Sequence, residues 1–443
     1  MAAVMSIFRA IALLGIVSAL LAALPGPVVA DLRGHGGMVR AIDFSPDGRR
    51  VLTGSFDFTA VLWDFEEQRE IGRLDEHAGP VTSVAFLPDG RRALTTSDDM
   101  TAILWDLTSL KPLHHLRAHK HKVMTVAVAA DGRIAATGGW DKTICIWNLA
   151  TGGLIRTIRQ PTPINTLTFI GASRLLAAGG HDPVIRIVNA DTGRYKGNLE
   201  GHRMGITQLN ASTDGKRLLS ASIDKTMRLW DMETFGEIQT YERHDNQLFT
   251  AVFAPDGKTA LSAGRDGYLI QWNLDQGVPM RRIKAHGTIV WAADFSPDGR
   301  FAVSASSDET ARVWHLETGD QIGAEPDDPD EPKPWLTSNH PGAPLFKKCA
   351  RCHSLSASGT RRSGPHLSGL FGRPAGSIPG YNYSSALTKV DFLWNAKTLF
   401  QLFDEGPDKF LPGTKMPVQR VPDTEQLSQL IEYLKELTAT DQN

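Results

Sequence analysis

HAGPVTSVAFLPDGRRALTTSDDMTAILW, residues 77–105, carries the pattern that decides the fold of this 443-residue chain. It opens on His77, turns at Pro88-Asp89-Gly90, reaches Asp99 and closes on Trp105. The same landmarks recur outward in both directions. Trp63, Trp105, Trp147, Val188, Trp230, Trp272 and Trp314 follow one another at steps of 42 residues, or 41 into Val188. An aspartate stands six residues before each: Asp57, Asp99, Asp141, Asp182, Asp224, Asp266 and Asp308. A histidine stands 22 residues before six of those aspartates, at His35, His77, His119, His202, His244 and His286; the fourth unit has Gln160 there. Turn signals keep the same rhythm, at Ser45-Pro46-Asp47-Gly48, Asp131-Gly132, Asp214-Gly215, Pro255-Asp256-Gly257 and Pro297-Asp298-Gly299, and Pro-Asp-Gly suits a tight turn. Between them lie strand-like runs such as Val51-Leu52-Thr53, Ala302-Val303-Ser304 and Val313-Trp314.

A period near 42 with several short strands per unit is the mark of a repeat architecture. The pattern resembles the WD repeat, and the resemblance implies an all-β propeller of seven four-stranded blades, closed into a ring without long open edges. It also implies that His, Asp and Trp form a hydrogen-bond network inside each blade, because buried polar groups need partners. Seven aspartates beside six histidines therefore read as blade structure rather than as metal ligands or catalytic groups. The fourth unit lacks both the histidine and the tryptophan, which makes it either a less rigid blade or a face altered for binding. For closure, the outer strand of the last blade is expected mostly from Asp320-Gln321-Ile322-Gly323, with residues 31–34 dispensable.

Near the carboxyl end stands Cys349-Ala350-Arg351-Cys352-His353, two of the three cysteines of the chain followed by an imidazole. Thiols at this spacing can add to the two vinyl groups of a haem, and the next residue then sits under the iron. A structural disulfide or a thioredoxin-like pair has no use for His353. Met416 is the one methionine after Pro341, on the Leu411-Pro412-Gly413-Thr414-Lys415-Met416-Pro417 segment, where prolines and glycine oppose helix formation. It is the preferred sixth ligand, with His340 and His366 as rivals. His/Met ligation fills both axial positions and suits electron movement over substrate binding.

From about Gly342 to Leu437 the chain resembles class I cytochromes c of the mitochondrial and small bacterial type. The resemblance rests on Leu345-Phe346-Lys347-Lys348-Cys349, Ser363-Gly364-Pro365-His366-Leu367, Gly369-Leu370-Phe371-Gly372-Arg373, Pro379-Gly380-Tyr381-Asn382-Tyr383, Trp394 and the Pro412–Met416 loop. It implies an all-α domain with one covalently bound haem c on Cys349 and Cys352, and iron ligation by His353 and Met416. It further implies haem-propionate contacts from Arg373, Tyr381, Tyr383, Trp394 and Thr414, and a Pro365 carbonyl that orients the His353 ring. The chain departs from the family at Leu402 or Phe403 (often tyrosine), Leu387 (often asparagine) and Asp408 (often lysine). Locally, Asp423 can cap a helix with Gln426 as its partner, and Leu427, Leu430, Ile431, Leu434 and Leu437 share one face of it. Gly342 and Phe346 are expected to pack on Leu430 and Tyr433.

The expected organisation is multidomain: a signal peptide over 1–30, the propeller over 31–324, an acidic proline-rich linker over 325–340 and the cytochrome domain over 341–443. Residues 1–30 hold no acid and one base, Arg9, and Ala10–Leu24 is an apolar run of fifteen, short for a membrane span and suited to a cleaved leader. An uncleaved, membrane-tethering leader is the alternative. Export suits the haem motif and places the protein in a bacterial periplasm. Cys145 has no thiol partner outside the haem pair, so no disulfide framework is expected. A net charge of −2 gives no reason to expect nucleic acid. Residues 341–443 hold seven Lys and five Arg against five Asp and four Glu, or +3 before any haem, and Lys347, Lys348 and Lys415 are placed to steer an acidic redox partner. The leading reading is an electron carrier whose propeller is a protein-docking scaffold, with redox partners left unidentified. The alternative is an oxidoreductase whose cytochrome domain removes electrons from a propeller active site.

Overall fold

The computed structural model describes residues 31–322, 334–350, 353–356, 364–379, 381, 383–412, 414, 416 and 420–439. The leader at 1–30, most of the linker, Gly323, Cys352 and Lys415 lie outside the described residues, as do the side chains of Lys348 and Asp408.

Seven antiparallel four-stranded sheets follow one another along residues 39–322. The first shows the plan, with β1 (Val39–Phe44), β2 (Arg50–Ser55), β3 (Ala60–Asp64) and β4 (Glu70–Leu74) side by side in chain order. Its turn at residues 45–48 works as the Pro-Asp-Gly signal implies: Gly48 donates its N–H to the Ser45 carbonyl at 2.8 Å and takes a φ of +69°, a conformation that costs glycine little. β2 is nearly continuously buried because it has sheet neighbours on both edges and other blades on both faces, whereas β4 is mostly half-exposed. The first strands of the seven sheets are neighbours around a ring, and the last of them, Val290–Phe295, returns to β1.

Side chains on these inner strands tie each blade to the next. Asp43 accepts the Phe86 N–H at 2.6 Å and Asn210 accepts the Phe253 N–H at 2.9 Å. Asp294 accepts the Phe44 N–H at 2.9 Å and so joins the last blade to the first.

Closure differs from the expectation that residues 31–34 are dispensable. Gln321–Ile322 pairs with the strand Ala311–His315, but only at Val313 and Trp314. Leu32 extends that edge from the other end of the chain, giving its N–H to the Ala311 carbonyl at 3.0 Å and taking the return bond at 3.3 Å. Leu32 is fully buried, and Asp31 binds Gln321 through its side chain. Among the described residues both ends of the chain contribute to this edge.

The carboxyl-terminal unit is built from short helices: α1 (Pro334–Thr337), α2 (Ala343–Cys349), α3 (Ser385–Thr388), α4 (Ala396–Glu405), α5 (Pro407–Phe410) and α6 (Thr424–Thr438), with one isolated antiparallel bridge between Pro374 and Leu393. α2 packs on α6 where expected. A Cβ on Gly342 would stand 2.3 Å from the Gln429 carbonyl oxygen and 2.8 Å from the Tyr433 Cβ, so glycine alone permits this approach. Phe346 is buried against the Tyr433 ring, with centroids 5.9 Å apart. Asp423 caps α6 by accepting the Gln426 N–H at 2.9 Å. Trp335, inside the segment read as linker, packs on Phe346 with centroids 5.4 Å apart.

Candidate haem cleft

α2 delivers the haem motif. Its hydrogen bonding runs past Cys349, since the His353 N–H reaches the Cys349 carbonyl at 3.0 Å. One turn of helix thus separates the two residues and puts them on the same side. Cys352 lies outside the described residues. The His353 Nδ1–H donates to the Pro365 carbonyl at 2.7 Å, the contact the family resemblance implies. That bond fixes the tautomer and leaves the lone pair a metal needs on Nε2.

The loop carrying Pro365 is clamped in turn. Arg373 gives Nη1 to the Ser368 carbonyl at 2.8 Å and Nη2 to the His366 carbonyl at 3.0 Å. Its neighbour in space is Trp394, whose backbone pairs with Arg373 at 2.9 Å and with Gly372 at 2.8 Å. Tyr381 and Tyr383 meet edge-to-face at 4.7 Å, and the Tyr383 hydroxyl accepts the Ile378 N–H at 3.4 Å. Thr414 is buried, and its Oγ1 accepts the Met416 N–H at 3.3 Å. Burial is the main cause that raises the Tyr383 hydroxyl above its ordinary range and lowers the Arg373 guanidinium.

Cys349, His353, Arg373, Tyr381, Tyr383, Trp394, Thr414 and Met416 all line one cleft. His340 and His366 do not line it. His340 stacks on Tyr433 at 4.9 Å and accepts the Gly342 N–H. Much of the remaining wall is hydrocarbon, from Leu367, Leu370, Leu387, Leu399, Leu402, Phe403, Leu411 and Leu434, and the first blade adds the polar Asp57, Thr59, Arg73 and Asp75. Leu387, Leu402 and Phe403 are the departures noted in the sequence, and they make the wall less polar. Leu399 and Leu411 were not singled out from sequence. The signal for Leu399 was the 3, 4 spacing of Leu399, Leu402 and Phe403 along α4, all three buried, as an amphipathic helix requires. A nitrogen donor and a thioether donor opening into one apolar cleft beside an attachment cysteine are a donor set that fits haem.

In the propeller, the His–Asp–Trp triplets form relays inside the blades and none lies in a metal cluster; among the described residues no group of three or more His, Cys, Asp or Glu could hold a metal ion. In the third blade the Trp147 Nε1–H donates to Thr137 Oγ1 at 2.8 Å, that hydroxyl reaches His119 Nε2 at 2.8 Å, and His119 Nδ1–H donates to Asp141 at 3.0 Å. The hydroxyl is the member that sequence reading missed. It recurs ten residues before each tryptophan as Thr53, Thr95, Thr137, Ser220, Ser262 and Ser304. The fourth blade drops the set together: Gln160, Ala178 and Val188 replace histidine, hydroxyl and tryptophan, and Asp182 pairs with Arg186 at 2.5 Å.

Comparison with known proteins agrees with both halves. The family described as "WD domain, G-beta repeat" matches at 26–64, 68–106, 110–148, 193–231, 235–273 and 277–315, passing over the unit that lacks the relay. The family "Cytochrome c" matches at 340–438. The chain is 41% identical over 99 residues to cytochrome c of Sesamum indicum, covering 22% of this chain and 88% of that protein. It is 43% identical over 98 residues to cytochrome c of Gibberella zeae, with 22% and 92% covered, and 43% identical over 98 residues to that of Arabidopsis thaliana, with 22% and 87% covered.

Proposed function

The chain belongs to the WD-repeat family and, through residues 340–438, to the cytochrome c family, and from that premise we propose that it is an exported single-electron carrier whose propeller docks a protein partner. Its cofactor is one covalently bound haem c. A haem held in the cleft supplies a one-electron couple.

The chain's own residues then have distinct tasks. Cys349 and Cys352 would hold the group covalently, and His353 and Met416 would supply nitrogen and sulfur ligands to its iron. The Pro365 carbonyl keeps the His353 ring in one tautomer and one orientation. The leucine and phenylalanine part of the wall would limit water around the group, which favours the less charged ferrous state. Arg373, Tyr381, Tyr383, Trp394 and Thr414 are the residues we assign to the propionates. The observation that carries this reading is the presence of both His353 and Met416 in the lining of a single apolar cleft. If both residues ligate the iron, the site would suit electron transfer over binding of a substrate there.

We place the protein in a bacterial periplasm, reached through residues 1–30, with a membrane tether only where that leader stays uncleaved. The propeller keeps a protein partner near the haem and raises its local concentration. A reductive titration of the purified full-length protein, followed by absorbance, tests the carrier reading. One reversible electron per chain is expected. Uptake of further electrons, with a second chromophore, would instead favour a propeller oxidoreductase drained by its cytochrome domain.

A further inference from the structure

The cleft described above has walls from both units of the chain. Gly36, Asp57, Thr59, Arg73 and Asp75 of the first blade line it together with His353 and Met416. Arg73 stands at the end of β4 and is held there firmly. Nη2 donates to Glu70 at 2.7 Å and to the Gly34 carbonyl at 2.9 Å, Nη1 donates to Thr59 at 3.2 Å, and Asp57 lies 3.8 Å away. Tyr381 of the haem-binding unit lines the same cleft.

Two carboxylates, Asp57 and Asp75, line the cleft beside Arg73, and the hairpin they belong to is net acidic. Residues 57–76 contain Asp57, Asp64, Glu66, Glu67, Glu70, Asp75 and Glu76 against Arg69 and Arg73, whereas residues 341–443 carry +3 before the haem. The repeat does not require that sign: 42 and 84 residues after Asp75 stand Arg117 and Arg159. A wall of a cleft in a basic domain that carries Asp75 and stands on a net acidic hairpin has the charge character of the redox partner expected for that domain.

We propose that the acidic rim of the first blade is an internal docking surface for the haem-binding unit, so that the chain masks its own haem edge until an external partner displaces the rim. This rests on the haem assignment and is independent of the scaffold role. An ordinary basic haem edge reacts faster with anions at low salt and slows as salt screens the attraction. A self-docked chain behaves in the opposite way, because salt loosens the rim.

The test uses the full-length protein, its bound haem verified by absorbance and reduced beforehand, so that a failure of the haem assignment is seen first. Ferricyanide then takes one electron from each ferrous haem and becomes ferrocyanide, and the rate is followed against ionic strength. The expected result is a rate that rises with salt, and a low-salt rate raised on the order of fivefold in Asp75→Lys, the factor that loss of a strong surface pair gives. A zero-length carbodiimide crosslink between a carboxylate of residues 57–76 and a lysine of residues 341–443, mapped by mass spectrometry, is expected in the parent protein. A rate that falls with salt, or the absence of that crosslink, each overturns the proposal.

Discussion

Thr137 shows how much one hydroxyl does in a blade. It accepts from Trp147 and donates to His119, so Thr137→Val keeps the shape and leaves two buried polar groups without a partner. Unpaired buried groups cost about 1–3 kcal/mol each, and denaturant unfolding of the variant should show a loss of that size while the haem spectrum stays unchanged. The relays also set acid stability. Burial tends to raise the Asp99 and Asp308 carboxyls, but hydrogen bonds from His77 and His286 and from neighbouring hydroxyls outweigh it and hold both at about 2. Their contribution is therefore whole above about pH 4 and is lost as pH falls through about 2. Asp43 and Asp294 have the opposite sign. Burial raises both, and for Asp43 the Asp294 charge adds to it; Asp294 is pushed up to about 6. The fold holds that proton more tightly than the open chain, so stability present below about pH 4 is lost as pH rises through 6. Asp294→Asn should accordingly be more stable than the parent at pH 7 and equal to it at pH 4, as melting curves at the two values would show. The periodic His, Asp and Trp were legible from spacing alone. The hydroxyl was not, since Ser and Thr are common and exchange with each other, and only the buried geometry singles them out.

At the scale of elements, two contacts decide how units close. Gly342 lets α2 approach α6 until backbone meets side chain. In Gly342→Ala the added carbon meets a main-chain oxygen that cannot swing aside, and overpacking of this kind costs about 1–3 kcal/mol; thermal melting followed at the haem band should fall while propeller tryptophan fluorescence melts unchanged. The last blade closes through Leu32 as well as Gln321–Ile322. Removing residues 31–34 exposes the partner edge and loses a fully buried leucine, worth about 1.5–3 kcal/mol, so propeller melting should drop and the haem band stay put. The sequence reading favoured residues 320–323 because only residues 31–34 would precede His35 once the leader is removed. A single residue pairing across 279 positions, Leu32 with Ala311, leaves no periodic trace. The cap of α6 was legible from Asp423 and Gln426. The box on α4, where Asn395 accepts the Thr398 N–H and Thr398 returns a bond to the Asn395 N–H, was not, because it lacks the Glu or Gln at the third position that usually marks one.

For the whole molecule, the division of labour follows from what each half can hold. The ring's recurrent polar groups are consumed by its own relays and inter-blade bonds, whereas the cleft gathers donors that its surrounding helices do not need. That Cys349, His353 and Met416 would meet at one cleft was legible because covalent attachment and ligation would demand particular residues at particular places. The meeting of the first blade with the cleft was not, because it depends on the placement of two units far apart in sequence. The proposed account stands on His353 and Met416 both serving as ligands to the haem iron. Carbon monoxide titration of the reduced full-length protein near neutral pH tests that most directly: the wild type should leave its spectrum unchanged while Met416→Ala binds the gas, and ready binding by the wild type would contradict it.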